Sequence, residues 1–220
     1  MNKLNITPEM VAQVLGSRRG IEREEQRFSM DDAYRLAVEV GKQMCPHFVI
    51  DDDNQSAYIA VAAWLVGDPN CHGIRPGKGI YLEGPVGCGK SLCLDIYRSV
   101  ARYLYIQVNG EPIRWQTVRT EEVCDTFLAT GNVDTFRDAR VICFQDLGSE
   151  PTEVLYMGNR RNIMRSILEY RGDNAACLTL ITSNIPADKA GEYYGQRVES
   201  RLRQMCNIIT MGGSDRRKTL

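Results

Sequence analysis

The stretch from Gly79 to Ser91 reads GIYLEGPVGCGKS, and its interpretation decides the fold. Ile80-Tyr81-Leu82 is a short apolar strand. Gly84, Pro85, Val86, Gly87, Cys88, Gly89, Lys90 and Ser91 then fit the spacing GxxxxGK[ST], and an amphipathic helix is predicted over about 90–104. A strand, a glycine-rich turn and a helix in this order form a phosphate cradle. The glycines let backbone N–H groups turn inward without a Cβ clash. The helix adds its positive N-terminal end. In such a loop the lysine, Lys90, reaches the β and γ phosphates of a nucleotide, and the hydroxyl of Ser91 ligates Mg²⁺.

Downstream, the same alternation repeats. Strands are predicted at Ile113–Val118, Val141–Phe144, Leu178–Thr182 and Ile208–Met211. Helices are predicted at Glu121–Leu128, at 154–171 with Ile163, Ile167, Leu168 and Tyr170 inward, and at 195–205. Unbroken apolar strands alternating with helices imply a parallel sheet covered on both faces, an α/β fold. A phosphate loop needs a carboxylate at the tip of a neighbouring strand, and Val141-Ile142-Cys143-Phe144-Gln145-Asp146 supplies Asp146. Thr182-Ser183-Asn184 ends the next strand with an amide, Asn184, able to bond a γ-phosphate or an attacking water. Arg197, Arg201 and Arg203 share one predicted helix, and Arg216, Arg217 and Lys218 follow the last strand. A guanidinium at a γ-phosphate stabilises transition-state charge.

Working upstream, Ser29-x-x-Asp32 reads as a capping box for a helix carrying Leu36, Ala37, Val40 and Met44, which Pro46 ends. Asp53 or Asn54 is expected to cap a buried helix that closes at Gly67. Thr7-Pro8 starts a further short helix with Met10, Val11, Val14 and Leu15 on one side, and the charged residues 17–27 form a boundary. The chain has 220 residues, a net charge of −1, 43% hydrophobic and 25% charged residues, which excludes disordered, collagen-like and coiled-coil classes. The longest apolar run, Ala57–Val66, is too short to span a bilayer, and the N-terminus lacks the apolar stretch of a signal peptide, so a cytoplasmic protein without membrane contact is expected. Eight dispersed cysteines with no CxxC read as small buried hydrophobes in a reducing compartment. Cys45, His47, Cys71 and His72 match no familiar zinc spacing.

The phrases GIYLEGPVGCGKS, ICFQDLGSE, LTLITSN and YGQRVESRLRQM…ITMGGSDRR together resemble the AAA+ ATPases, and among these the helicase-loader clade of the DnaC and IstB type. The resemblance covers residues of about 46–217. It implies a P-loop NTPase with an AAA+ core over 46–220, a parallel five-stranded sheet flanked by helices, and a short helical N-terminal extension over 1–45 that docks a partner. It assigns Lys90 and Ser91 to Walker A, Asp146 to Walker B, Asn184 to the sensor-1 position, Arg201 to an arginine finger acting on an adjacent subunit, and Arg217 to a sensor-2 role. The implied cofactors are ATP and Mg²⁺. The implied partners are a hexameric helicase or a transposase, single-stranded DNA, and further copies of the chain assembled with ATP. Arg160 and Arg161 are candidate DNA contacts.

One departure stands out. The clade usually carries two acids before Leu-Gly, and here the pair is Gln145-Asp146. A neutral amide at 145 predicts weaker metal binding and slow hydrolysis, unless Glu150 assists. A loader, a transposase helper, a P-loop kinase and a nucleotide-gated binding switch therefore stay open at this point, with the loader leading. In each, Lys90 carries the phosphate contact. Lys90→Ala is expected to abolish ATP binding in an equilibrium titration, and undiminished affinity for Mg-ATP would rule out the phosphate-loop reading.

Overall fold

A computed structural model describes residues 28–219 apart from 69, 72 and 175. The helix expected at 8–15 and the charged stretch 17–27 lie outside the described residues. Helix α1 (Met30–Met44) starts at the expected capping box: Ser29 Oγ accepts from the Asp32 N–H at 3.1 Å, and Asp32 Oδ2 accepts from the Ser29 N–H at 3.1 Å. Helix α2 (Gln55–Val66) is buried on nearly every side and ends at Gly67 in the left-handed region, φ 69°. Asn54 precedes it without capping it. Its amide turns back to the Asp51 N–H and the Val49 carbonyl instead.

Five strands build one sheet: β1 (Gly79–Glu83), β4 (Gln116–Arg119), β5 (Val141–Leu147), β8 (Leu178–Ser183) and β9 (Cys206–Thr210), in the order β4-β5-β8-β1-β9 and all parallel. The side-chain period of two splits each strand between two cores. Ile80, Leu82, Cys143, Leu178 and Leu180 pack with α1, α2 and α3 (Lys90–Leu104). Tyr81, Ile142, Phe144 and Ile181 pack on the opposite face with α4 (Thr120–Thr130), α6 (Ile163–Asp173), α7 (Ala190–Tyr194) and α8 (Gln196–Met205). A parallel sheet buried on both faces is the class expected from the unbroken apolar strands. Ala33 and Ala37 of α1 are fully buried in the first core. Among the described residues no helix is long and apolar enough to cross a membrane.

Several elements differ from the sequence expectation. The predicted helix over 154–171 is two elements. Residues 154–161 form a hairpin of β6 (Val154–Tyr156) and β7 (Asn159–Arg161), and only then does α6 begin. Met157 and Gly158 both have positive φ, 49° and 80°, the geometry of a tight two-residue hairpin turn. Asn162 caps α6 by accepting from the Arg165 N–H at 2.8 Å. Tyr170, expected inward, is 40% exposed and lies under the Arg137 guanidinium. The strand expected at 113–118 starts only at Gln116, although Ile113 and Trp115 are buried. A two-stranded ribbon of β2 (Gln107–Val108) and β3 (Glu111–Pro112) precedes it, and α5 (Asp134–Arg137) precedes β5. The last strand runs from Cys206 rather than Ile208, because buried Asn207 satisfies its amide on Arg75 and the Gly79 carbonyl.

Arg171 of α6 is 1% exposed, and among the described residues its hydrogen-bond partners are neutral oxygens. Its guanidinium donates to Thr179 Oγ1 and to the carbonyls of Phe136, Arg137, Ala139 and Leu178, at 2.7–3.2 Å. Burial pushes its pKa below the ordinary arginine value, yet the group stays charged because guanidinium does not deprotonate in proteins. It stitches α6, the α5 turn and β8 into one unit. Arg171→Met leaves several buried carbonyls unpaired and is expected to cost on the order of 3 kcal/mol, read as a lowered urea midpoint. Arg171→Lys, with fewer donors, is expected to recover only part of that loss.

Candidate functional site

The parallel strands all end on one edge of the sheet, and the loops leaving β1, β5 and β8 meet there. The phosphate loop needs its glycines for specific reasons. Gly87 has φ 79°, and a Cβ there would lie 1.9 Å from Asp215 Oδ1. Gly84 is pressed against the Met211 carbonyl, which a Cβ would meet at 2.0 Å. Both neighbours belong to the segment after β9, so the loop is shaped from outside by a strap at 211–217. Arg216 is the strap's main fastener. Its backbone N–H donates to the Gly87 carbonyl at 3.1 Å, and its Nε donates to the Cys88 carbonyl at 3.2 Å. Its Nη2 pairs with Asp51 at 2.8 Å.

Lys90 opens α3 and is 5% exposed. Its ammonium donates to the Gly84 carbonyl at 2.8 Å, the Pro85 carbonyl at 2.7 Å and Asn184 Oδ1 at 2.8 Å. Burial pulls its pKa below the usual lysine value. No carboxylate pairs with it among the described residues, so its charge is held by neutral oxygens that a phosphate would outcompete. Ser91 Oγ stands 3.4 Å from Thr182 Oγ1.

Asp146 reaches the site through a bulge. Phe144 is opposite Ile181, but Leu147 is opposite Ser183, so Gln145 and Asp146 together face one residue of β8. Asp146 takes φ 59°, a left-handed conformation that aspartate tolerates better than most side chains. The Asp146 N–H donates to Thr182 Oγ1 at 3.1 Å, and Ser183 Oγ donates to the Leu147 carbonyl at 2.7 Å, which pins the bulge. A bulge beside a site re-aims a side chain.

These groups line one cleft of about 580 Å³. Its lining includes the polar residues Lys90, Ser91, Gln145, Asp146, Asn184, Arg119, Glu121, Arg216 and Arg217, and the apolar or aromatic residues Phe48, Val49 and Tyr58. The structure thus brings Lys90, Ser91, Asp146, Asn184 and Arg217 together, with Val86, Gly87, Cys88 and Gly89 as the loop wall. Gly84 and Pro85 contribute carbonyls to Lys90 behind that wall. Arg201 is elsewhere. It lies over Gly172 of α6, paired with Asp173 and bonded to Gln204. Arg217 bonds Asp215. Glu150 does not line the cleft: it is buried, accepting from the Gly148 N–H and the Tyr194 hydroxyl. Arg160 and Arg161 stand exposed on β7 rather than on a helix, with Arg160 3.6 Å from Glu153. Cys45 and His47 line the cleft, His72 lies outside the described residues, and no group of metal-ligating side chains is found among the described residues.

Sequence reasoning missed Arg119, Phe48, Val49, Tyr58 and the fastening role of Arg216. Arg119 ends β4 in register with Gln145, which only strand pairing reveals. The apolar wall lies 26–36 residues upstream of Gly84 and carries no local pattern. Arg216 and Arg217 are adjacent, and nothing in sequence separates the fastener from the cleft residue.

Comparison with solved structures places this arrangement. The chain has the fold of DnaI and DnaC. The DnaI structure matches at TM-score 0.55 and 19% identity over 87% of this chain and 95% of that one. The structure of the DnaC helicase loader matches at TM-score 0.52 and 20% identity over 74% and 93%. A protein from Streptococcus pyogenes serotype M3 described as a primosome component matches at TM-score 0.53 and 20% identity over 75% and 84%. No family model and no curated protein sequence matches the chain. The α/β class with a five-stranded parallel sheet and a P-loop, expected from the sequence, is the one this DnaC-type fold has.

The loop's dependence on its strap is testable. Gly87→Ala would drive a methyl group into Asp215 and force a left-handed backbone on alanine. It is expected to weaken nucleotide affinity at least about tenfold, with Arg216→Ala acting in the same direction, both measured by titration with a fluorescent ATP analogue.

Proposed function

We propose that the chain is an AAA+ ATPase of the helicase-loader type, which binds ATP with Mg²⁺ in the cleft at 84–91, hydrolyses it slowly, and couples that cycle to a hexameric helicase and single-stranded DNA. The observation that carries this reading is the convergence of Lys90, Ser91, Asp146 and Asn184 on one cleft that Phe48, Val49 and Tyr58 also line. The residues fit a Mg-nucleotide. Gly84 and Gly87 let the loop lie against its strap where a Cβ would collide, and the Lys90 ammonium rests on neutral oxygens that phosphate oxygens can replace. Phe48, Val49 and Tyr58 offer a wall for a flat base. The Ser91 hydroxyl and the Asp146 carboxylate would hold the metal, whose chemistry is to neutralise charge on the phosphates.

Lys90 would exchange the Gly84 and Pro85 carbonyls for phosphate oxygens. Releasing it frees the Asn184 amide, at the tip of β8, for a γ-phosphate or a water. Arg201 lies outside the chain's own cleft, which supports a role across a subunit boundary. The helicase partner is supported by the shared fold with the DnaC helicase loader, and DNA contact by the exposed Arg160 and Arg161.

The test is ATP turnover with and without single-stranded DNA, alongside mass measurement in each nucleotide state. Turnover is expected to be slow and DNA-stimulated, with DNA binding that weakens steeply with salt. Arg201→Ala is expected to keep nucleotide affinity while turnover falls on the order of 10³-fold. A protein that remains monomeric with ATP and DNA, yet hydrolyses at an undiminished rate as Arg201→Ala, would count against assembly across Arg201.

A further inference from the structure

Gln145 is the oddity of the site, and its surroundings hold a carboxylate that the strand tip lacks. Its Nε2 lies 3.4 Å from Asp95 Oδ2. Asp95 stands on α3, one helical turn beyond Ser91. Asp95 Oδ1 also faces Thr117 Oγ1 at 3.5 Å and the Arg98 guanidinium at 3.4 Å. Thr117 and Cys143 are register partners, as are Arg119 and Gln145, so Asp95 lies over one face of the β4–β5 pair. Burial and the Asp95 charge both raise the Cys143 thiol pKa, which locates that negative charge beside β5.

The chemistry of the pair fixes the amide. A carboxylate only accepts hydrogen bonds, so the nitrogen of Gln145 must face Asp95. The amide oxygen is then left for the cleft that Gln145 lines. Without Asp95 the amide would be free to turn its nitrogen toward the cleft, where a donor is useless to a cation or its water shell. The negative charge behind the nitrogen also makes the hydrogen bond charge-assisted.

We propose that Asp95 is a positioning residue for Gln145: it holds the amide oxygen toward the cleft, where that oxygen accepts from the water shell of the divalent cation. The acid missing at position 145 is thereby replaced by a neutral oxygen with a carboxylate one bond behind it. The inference rests on the Mg-nucleotide reading above and makes a claim that reading does not. Restoring an acid at 145 brings no benefit while Asp95 is present, because even a side chain one methylene shorter than glutamine would set a second negative charge beside the Asp95 carboxylate.

The experiment measures how Mg²⁺ concentration governs equilibrium binding of a fluorescent ATP analogue, together with melting temperature without nucleotide. Asp95→Ala is expected to raise the Mg²⁺ needed for half-maximal binding about three- to tenfold, the scale of one oriented hydrogen bond. Asp95→Asn keeps an acceptor and recovers most of that loss. Arg98→Ala, which removes the ion-pair partner of Asp95 but not its contact with Gln145, leaves the Mg²⁺ dependence as in the parent. Q145D alone lowers the nucleotide-free melting temperature by about 2–4 °C and gains no Mg²⁺ affinity. The double variant D95N/Q145D restores the melting temperature and binds Mg²⁺ more tightly than the parent. An unchanged Mg²⁺ dependence in a folded Asp95→Ala protein overturns the proposal. So does a Q145D gain of the same size with and without D95N, a comparison that holds even if Asp95→Ala fails to fold. Lys90→Ala separates the two levels: if it binds the analogue as the parent does, the nucleotide reading falls and the Asp95 role with it, whereas a Lys90-sensitive parent with an indifferent Asp95→Ala overturns only the latter.

Discussion

The ammonium of Lys90 rests on the carbonyls of Gly84 and Pro85 and on the side-chain oxygen of Asn184, so one buried cation joins the turn after β1 to the tip of β8. A buried charge has to be satisfied somewhere, and here it is satisfied by neutral oxygens. Much of the surrounding architecture follows from that arrangement. The carbonyls can point inward only because Gly84, Gly87 and Gly89 take backbone angles closed to most side chains. Asn184 can reach the lysine only because β8 lies directly beside β1. The N-terminal turn of α3 carries both Lys90 and Ser91, so one helix start supplies the cation and the hydroxyl.

The neighbouring strand solves a different problem. An ordinary β5 would send alternate side chains to opposite faces and leave Asp146 with Phe144 in the second core. The bulge opposite Thr182 breaks that alternation, and Thr182 and Ser183 supply the hydroxyls that hold it. Polar, fully buried residues at the end of an otherwise apolar strand thus act as fixtures for the next strand. Gln145, on the other side of the same irregularity, is turned toward α3 and its carboxylate.

What the sequence made legible was whatever rested on local rules. The phosphate loop announced itself by spacing, the start of α1 by Ser29 and Asp32, and the buried strands by their unbroken apolar character. Lys90, Ser91, Asp146 and Asn184 were each recognisable as the residue at a strand or helix end, and the fold brings all four to one cleft. Regions governed by competing local signals were misread. Residues 154–161 carry apolar spacing compatible with a helix, but Met157-Gly158 is a hairpin turn whose first member is an unusual residue for positive φ. Tyr170 fits a helical stripe and yet faces Arg137 at the surface. Contacts between distant elements were invisible. Nothing near Asp95 in sequence points to Gln145, nothing near Asp51 points to Arg216, and Arg171 gives no hint that it will be sealed among carbonyls.

The strap behind the phosphate loop has a consequence for how the molecule is born. Arg216 bonds to Cys88 across 128 residues of chain, and β9 pairs with β1 over a similar distance. At ribosomal speeds of about 5–20 residues per second, the loop emerges on the order of ten seconds before the segment that gives it shape. During that interval Gly84 and Gly87 lack the outer wall that Met211 and Asp215 supply. The loop takes its final shape late in biosynthesis, when β9 closes onto β1 and brings Met211 and Asp215 against Gly84 and Gly87.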